Sequence, residues 1–211
     1  MKTRRTFLGA AALLATLFFT PALSAAPPAV DEITIGPAYT DAPELTVKNG
    51  VPRGTVSTFT MHSADSRVYP GIAKDRPGQT VPYDRTVAVY IPAQYVPGTS
   101  APFLVAQDGL GYRDVLPKAL DTLIAEKRVP PMIAILINSG GGDSLGSERG
   151  LEYDTVSDKY ARFIETEVLP RVATDYHVTF TTDPEGGATM GGSSGGAAAF
   201  TMAWMRPDRF R

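Results

Sequence analysis

The stretch from Ala188 to Phe200 constrains this chain more than any other. A short apolar run breaks there into glycines and serines and then continues as a second apolar run. The letters Gly191-Gly-Ser-Ser-Gly195 fit the pattern G-x-S-x-G, which is typical of a nucleophile elbow, a tight strand-to-helix turn with a serine exposed at its tip. A flexible linker could have the same letters, but the apolar runs on both sides disfavour a linker. We therefore predict a strand over 187–190 and a helix over 194–205.

The serine at the tip of this elbow is assigned to Ser193. Two glycines then follow the next residue, which lets the helix pack closely against the strand. The pattern also fits one residue further on, with Ser194 as the nucleophile, and the sequence leaves that second register open. A serine hydroxyl is a weak nucleophile at neutral pH, so it needs a general base, an acid that orients the base and donors for the oxyanion. The backbone N–H of Ser194, at the helix N-terminus, is expected to be one donor.

The second oxyanion donor is expected in the loop after an earlier strand. The continuous apolar run Phe103–Ala106 is typical of a strand buried on both faces of a parallel sheet, and it leads into Gln107-Asp-Gly-Leu-Gly111. Gly109 and Leu110 therefore form the expected oxyanion turn, with the Leu110 N–H as the favoured donor.

Strands and helices alternate along the rest of the chain, which predicts an α/β fold with a mostly parallel, three-layer sheet. The first two strands are expected to be antiparallel, and the next two to be joined by a helix in a right-handed crossover. Thr155 or Ser157 is expected to cap the following helix, and Pro170 to kink it or mark its last turn. The predicted elements before the elbow are strands over 55–61, 85–91, 103–106 and 132–137, and helices over 114–127 and 157–172.

A long loop, 138–154, follows the strand over 132–137, and ligands bind at such strand ends in α/β sheets. Arg149, Glu152 and Tyr153 are therefore candidates for substrate contact. A structural salt bridge and an anchor at the helix entry explain these residues equally well. Nucleotide binding at the glycine-rich segment 140–146 is disfavoured, because it lacks the Lys-Ser/Thr ending of a phosphate loop and the spacing of the dinucleotide fingerprint.

The N-terminus predicts a signal peptide over residues 1–26. Basic residues precede the apolar run Phe7–Phe19, and small residues suitable for cleavage follow. Thr3-Arg-Arg-Thr-Phe-Leu8 resembles a twin-arginine signal, although an ordinary charged segment would also contain the paired arginines. The apolar run is too short for a permanent membrane anchor. The bacterial export machinery is thus an expected partner, and the destination is the periplasm or the medium.

Composition limits the domain organisation, the partners and the metal sites that this chain can have. Residues 27–50 are predicted to be a loosely ordered leader, and 51–211 a single domain with enough apolar content, 43% over the chain, for its own core. The net charge of −2 comes from 20 basic and 22 acidic residues without long runs of either sign, so no nucleic-acid partner is expected. Cysteine is absent from the sequence, which excludes disulfides and thiolate metal sites. No cofactor or metal is predicted.

The chain contains two histidines, His62 and His177, and both precede Ser193. In proteins with this kind of elbow the triad runs serine, acid, histidine along the chain. Each histidine is therefore expected to be structural, and the sequence shows no general base. We interpret the chain as C-terminally incomplete after the elbow helix.

Several ordered motifs together resemble the esterase D and enterochelin-esterase-like branch of the α/β-hydrolases, over roughly 51–211. These motifs are Gln107-Asp-Gly109, Glu152-Tyr-Asp154, Asp158-Lys-Tyr-Ala-Arg-Phe163, Leu169-Pro170, Asp183-Pro-Glu-Gly186, Gly191-Gly-Ser-Ser-Gly-Gly196 and Ala203-Trp-Met-Arg-Pro-Asp-Arg-Phe210.

The resemblance implies a serine esterase on an α/β-hydrolase sheet, with Ser193 as nucleophile and with oxyanion donors at Ser194 and the Gly109-Leu110 turn. It also implies that the catalytic acid and histidine lie downstream of the elbow. The expected function is an exported carboxylic-ester hydrolase that forms an acyl-enzyme, and its substrate is a small-molecule or carbohydrate ester. The alternative is a non-catalytic module that binds a carbohydrate or a siderophore on the same fold.

Overall fold

The structure, a computed structural model, describes residues 36–46, 48–71, 79–140 and 148–211. The signal-peptide prediction, the first part of the leader and most of the glycine-rich segment 140–146 lie outside the described residues. The chain divides into two compact units, Met1–Tyr39 and Thr40–Arg211. All helices and strands given below belong to the second unit.

A sheet with the strand order β1-β2-β5-β4-β7 forms the centre of this unit. β2 is antiparallel to both β1 and β5, whereas β4 is parallel to both β5 and β7, so four strands share one direction and β2 opposes them. The predicted antiparallel opening and parallel crossover are confirmed. The strands are β1 Thr55–His62, β2 Asp84–Ile91, β4 Phe103–Gln107, β5 Ile133–Ile137 and β7 Gly187–Met190.

Helices cover both faces of the sheet. Every residue of β5 is buried, as expected for a strand with both faces covered. One apolar cluster joins alternate residues of β2, β4 and β5 to α2, α3, α4 and α5, and a second joins the other residues of these strands to α1. The result is the predicted three-layer α/β sandwich. The helices are α1 Leu116–Ala125, α2 Glu148–Tyr153, α3 Lys159–Phe163, α4 Leu169–Tyr176 and α5 Ser194–Met205.

The predicted helix over 157–172 is one continuous run with a wide turn inside it. A π-helical segment, Ile164–Val168, connects α3 to α4, and Pro170 lies in the first turn of α4. Proline has no N–H to donate to the preceding turn, so a change of helical pitch just before it is physically reasonable. The N-cap of α3 is Asp158 and not Thr155 or Ser157, and its side chain makes no capping hydrogen bond. The Ser157 hydroxyl accepts a hydrogen bond from the Lys159 N–H, at 3.3 Å.

The domain also contains short elements outside the main sheet. Two two-residue strands, β3 Ser100–Ala101 and β6 Thr179–Phe180, pair in parallel. In the predicted leader, Pro43–Leu45 form a 3-10 turn, and the Thr122 hydroxyl of α1 donates a 3.0 Å hydrogen bond to the Glu44 carbonyl. This hydrogen bond places the turn against α1. Within the described ranges no helix is long and apolar enough to cross a membrane.

Candidate active site

The carboxyl ends of three neighbouring strands bring the predicted site together. Gln107 at the end of β4 pairs with Ile137 at the end of β5, and Ala106 pairs with Met190 at the end of β7. The residues that follow these strands therefore lie at the same edge of the sheet, where α/β proteins bind ligands.

The elbow joins β7 to α5 through a strained residue. Ser193 has φ 52° and ψ −126°, a conformation that is uncommon for a residue with a side chain. Ser194, in contrast, is the first residue of α5. A Cβ on Gly191 would lie 2.4 Å from the backbone carbon and oxygen of Gly195, so only glycine fits there. The predicted strand, turn and helix are all present, with Ser193 at the tip of the turn.

The loop after β4 approaches β5 just as closely. A single 3-10 turn, Gly109–Tyr112, begins directly after Asp108, which adopts a left-handed conformation at φ 55°. A Cβ on Gly109 would lie 2.3 Å from the Leu136 Cα, so this position also requires glycine. The Leu110 N–H, the expected oxyanion donor, donates to the Asn138 Oδ1 at 3.2 Å.

Asn138 was not identified from the sequence. It is the first residue after β5, so its place at the strand end was the signal that could have identified it. The hydrogen bond from Leu110 means that the favoured donor already has a partner in this structure. Any oxyanion at that N–H would have to share it with Asn138 or displace the amide.

Arg149 lies beside the elbow as an ion pair with Asp108. Its Nη2 is 2.8 Å from the Asp108 Oδ2, and its Nη1 donates to Oδ1, so the pair is bidentate. The guanidinium carbon lies 4.8 Å from the centre of the Tyr153 ring. The hydrogen bond with Asp108 raises the pKa of Arg149. A Cβ on Gly195 would be 2.8 Å from the Asp108 Oδ2, so the carboxylate faces the first turn of α5.

Glu152 and Tyr153, the other two candidates for substrate contact, are buried, with 1% of each exposed. Glu152 binds Arg85 through both oxygens, at 2.5 and 2.7 Å, and also accepts from the Gly140 N–H. Burial alone would lower the pKa of Arg85, but the hydrogen bonds with Glu152 raise it. The Tyr153 hydroxyl accepts from the Asp108 N–H at 3.2 Å. In this structure Glu152 and Tyr153 thus contact groups of the protein itself, as in the structural explanation of these residues, and their contact with a substrate stays a prediction.

Two further side chains support the elbow. Gln107, fully buried, places its amide against the carbonyl oxygens of Met190 and Val105, and so links the end of β4 to the end of β7. The Tyr112 hydroxyl lies next to Gly192, since it would be 3.2 Å from a Cβ there. The sequence predicted no role for either side chain.

Neither histidine lies near Ser193. His62 ends β1, four strands away from β7, which corresponds to roughly 19 Å at about 4.8 Å per strand. It forms a 2.7 Å hydrogen bond with Asp84 on the surface, which raises the pKa of His62. His177 ends α4 two residues before Thr179, which pairs with Ser100 at the amino end of the sheet. No imidazole of this chain is thus placed to accept a proton from Ser193.

Comparisons with known proteins give a family and a fold for this chain. The family model described as "Putative esterase" matches residues 78–211, which is more than half of the chain. No curated protein sequence matches the chain.

Solved structures of esterases share the fold. The enterobactin esterase from Shigella flexneri is 20% identical with a TM-score of 0.56, and the match covers 75% of this chain and 36% of that one. The CE1 ferulic acid esterase from Anaeromyces mucronatus is 20% identical with a TM-score of 0.57, over 79% of this chain and 59% of that one. The ferric enterobactin esterase from Salmonella typhimurium is 21% identical with a TM-score of 0.51, over 73% and 34%. The chain therefore spans about a third of the length of the enterobactin esterases.

Proposed function

The chain belongs to the Esterase family, and from that membership we propose that the whole protein is an exported serine esterase that hydrolyses a carboxylic ester through an acyl-enzyme on Ser193. The observation that carries the proposal is the conformation of Ser193. It combines a strained backbone with positive φ, a place at the carboxyl edge of the sheet and a place at the N-terminus of α5. Backbone strain of this kind at a serine between a strand and a helix favours a nucleophile over a linker residue.

In the proposed mechanism, the Ser193 Oγ attacks the ester carbonyl carbon and gives its proton to a general base. The tetrahedral oxyanion accepts hydrogen bonds from the Ser194 N–H and from the Gly109-Leu110 turn, where the Leu110 N–H exchanges or shares its bond with Asn138. The alcohol leaves with the proton from the base, and water then hydrolyses the acyl-enzyme by the reverse sequence. The base is a residue other than His62 and His177, because His62 lies four strands away from β7 and His177 lies near the amino end of the sheet.

The nucleophile can be tested with a fluorophosphonate probe on the protein encoded by the complete open reading frame. We expect the wild type to be labelled and Ser193→Ala to lose the label. Ser194→Ala is the matched control, because it removes the neighbouring hydroxyl but leaves the backbone N–H in place, so it should still be labelled. Equal labelling of Ser193→Ala and wild type, or loss only in Ser194→Ala, would refute the assignment.

The proposed substrate is a small-molecule or carbohydrate ester. Solved structures with this fold include an enterobactin esterase and a ferulic acid esterase. The rates of hydrolysis of feruloyl esters, acetyl esters and a siderophore triester, measured side by side, distinguish these classes of substrate.

The second candidate function is a binding module without catalysis, for a carbohydrate or a siderophore. The distance of both histidines from Ser193 favours it. A wild-type protein that binds such a ligand but is neither labelled nor active on any ester would support this candidate against the first.

Export through the signal peptide is part of the proposal. We expect the protein in the periplasm or medium, and Arg4→Lys with Arg5→Lys to retain it in the cytoplasm if the signal is of the twin-arginine type. Unchanged export of that variant, with loss of export after deletion of residues 1–26, would indicate an ordinary signal peptide.

A further inference from the structure

We propose that Arg149 is a positioning residue whose charge cancels that of Asp108, and thereby keeps a net negative charge away from the place where the oxyanion forms. The inference rests on the proposed esterase function. It assigns Arg149 a role other than the substrate contact expected from the sequence.

Asp108 lies between the two elements that supply the proposed oxyanion donors. It directly precedes the Gly109-Leu110 turn, and its Oδ2 faces Gly195 in the first turn of α5. The helix N-terminus attracts this carboxylate. The same attraction places a negative charge beside the N–H groups that must stabilise a second negative charge during the reaction.

An uncompensated carboxylate beside the forming oxyanion would repel it and slow the reaction roughly 10- to 100-fold. A cation paired with Asp108 removes this repulsion without occupying the donors themselves. Arg149 meets the requirement, because both of its terminal nitrogens bind the two Asp108 oxygens.

The surroundings hold the guanidinium in this arrangement. It stacks on Tyr153, and the Tyr153 hydroxyl in turn accepts from the Asp108 N–H, so one ring supports both partners of the pair. The side chains of Arg149 and Asp108 are each about one-third exposed, at 35% and 34%. Because the bidentate edge of the guanidinium faces Asp108, that edge is not directed towards a substrate.

The test measures kcat and KM for p-nitrophenyl acetate, an uncharged ester, in the protein encoded by the complete open reading frame. Arg149→Met should lower kcat roughly 10- to 100-fold with KM nearly unchanged. Arg149→Lys keeps the positive charge but loses the bidentate geometry, so its kcat should lie between those of the wild type and Arg149→Met. The decisive variant is Asp108→Asn combined with Arg149→Met, which should recover kcat at least tenfold relative to Arg149→Met alone.

Arg149→Met and the double variant both lack the ion pair, but only Arg149→Met retains the uncompensated Asp108 carboxylate. The comparison therefore distinguishes an effect of this charge on kcat from an effect on stability. Unfolding midpoints measured in parallel should therefore be similar for the two. A double variant as slow as Arg149→Met, or a loss that lies in KM, would overturn the inference. A wild type that neither hydrolyses the ester nor reacts with the fluorophosphonate would instead refute the proposed function.

Discussion

At the scale of single residues, the elbow depends on backbone contacts that side chains cannot adjust. Gly191 and Gly195 touch through main-chain atoms, so a methyl group at 191 has no flexible neighbour to displace. The strain at Ser193 persists because these close contacts hold the turn on both sides.

Gly191→Ala should destabilise the protein by about 1–3 kcal/mol, the usual cost of overpacking, and should also abolish fluorophosphonate labelling. Gly111→Ala is the matched control. A Cβ at Gly111 meets nothing within 4 Å, so that variant should keep wild-type stability and labelling. Urea denaturation gives the free energy of unfolding of both. Equal stabilities would show that the turn can relax and that the glycine is not required.

The sequence predicted the residues of the elbow but not their neighbours. Gly191 to Ser194 are adjacent in the chain, and their motif has a known local geometry, so pattern alone located them. Asn138 reaches the Leu110 N–H, and Tyr112 reaches Gly192, only because the strands pair in one particular register. Nothing local in the sequence encodes that register.

At the scale of elements, a buried ion pair fastens α2 to the sheet. Arg85 on β2 and Glu152 on α2 have side chains that are 2% and 0% exposed, and Arg85 also donates to the Asn138 carbonyl at 2.7 Å. The ion pair thus connects α2, which carries Arg149, to Asn138, whose side chain accepts a hydrogen bond from the Leu110 N–H.

Glu152→Gln should cost about 3–5 kcal/mol of unfolding free energy, because it leaves the Arg85 charge buried without its partner. Asp175→Asn is the comparison. It breaks an exposed pair with Arg171 on α4, and such pairs contribute about 0–1 kcal/mol. Chemical denaturation of both variants measures the difference. Losses of equal size would mean that Arg85 finds another partner or water on substitution.

Element prediction succeeded where apolar periodicity was long enough to be distinctive. β5, β7 and α5 match their predicted ranges to within one residue. The two-residue strands β3 and β6 and the π turn before Pro170 escaped prediction. A strand of two residues is too short to show the alternating pattern of apolar and polar residues. A π turn differs from an α turn only in the hydrogen bonds that packing selects.

At the scale of the whole molecule, the sequence predicted the α/β class and the antiparallel opening, while the strand order came from the structure. The order places β7 at one edge of the sheet, so in the described part of the chain one side of β7 has no strand beside it. α5, next to this edge, is apolar around its circumference. It packs on the core through Ala198 and Met202.

The outer face of α5 exposes two aromatic rings. Phe200 and Trp204 are 68% and 70% exposed, and their stacked rings are 5.8 Å apart. A helix that is apolar on all sides is normally buried, and an open strand edge beside it is a template for pairing with another chain. Both features lower the solubility of a monomer.

We therefore expect the 211-residue chain to associate with itself at micromolar concentrations, and to unfold without a single sharp thermal transition. Sedimentation velocity over a range of concentrations measures the association. Phe200→Lys with Trp204→Lys should raise the monomer fraction, because it places two charges on the exposed face. Val156→Lys is the control, since Val156 is 77% exposed in the segment between α2 and α3 and should leave association unchanged. A wild-type chain that stays monomeric and unfolds cooperatively would show that this face and edge tolerate water.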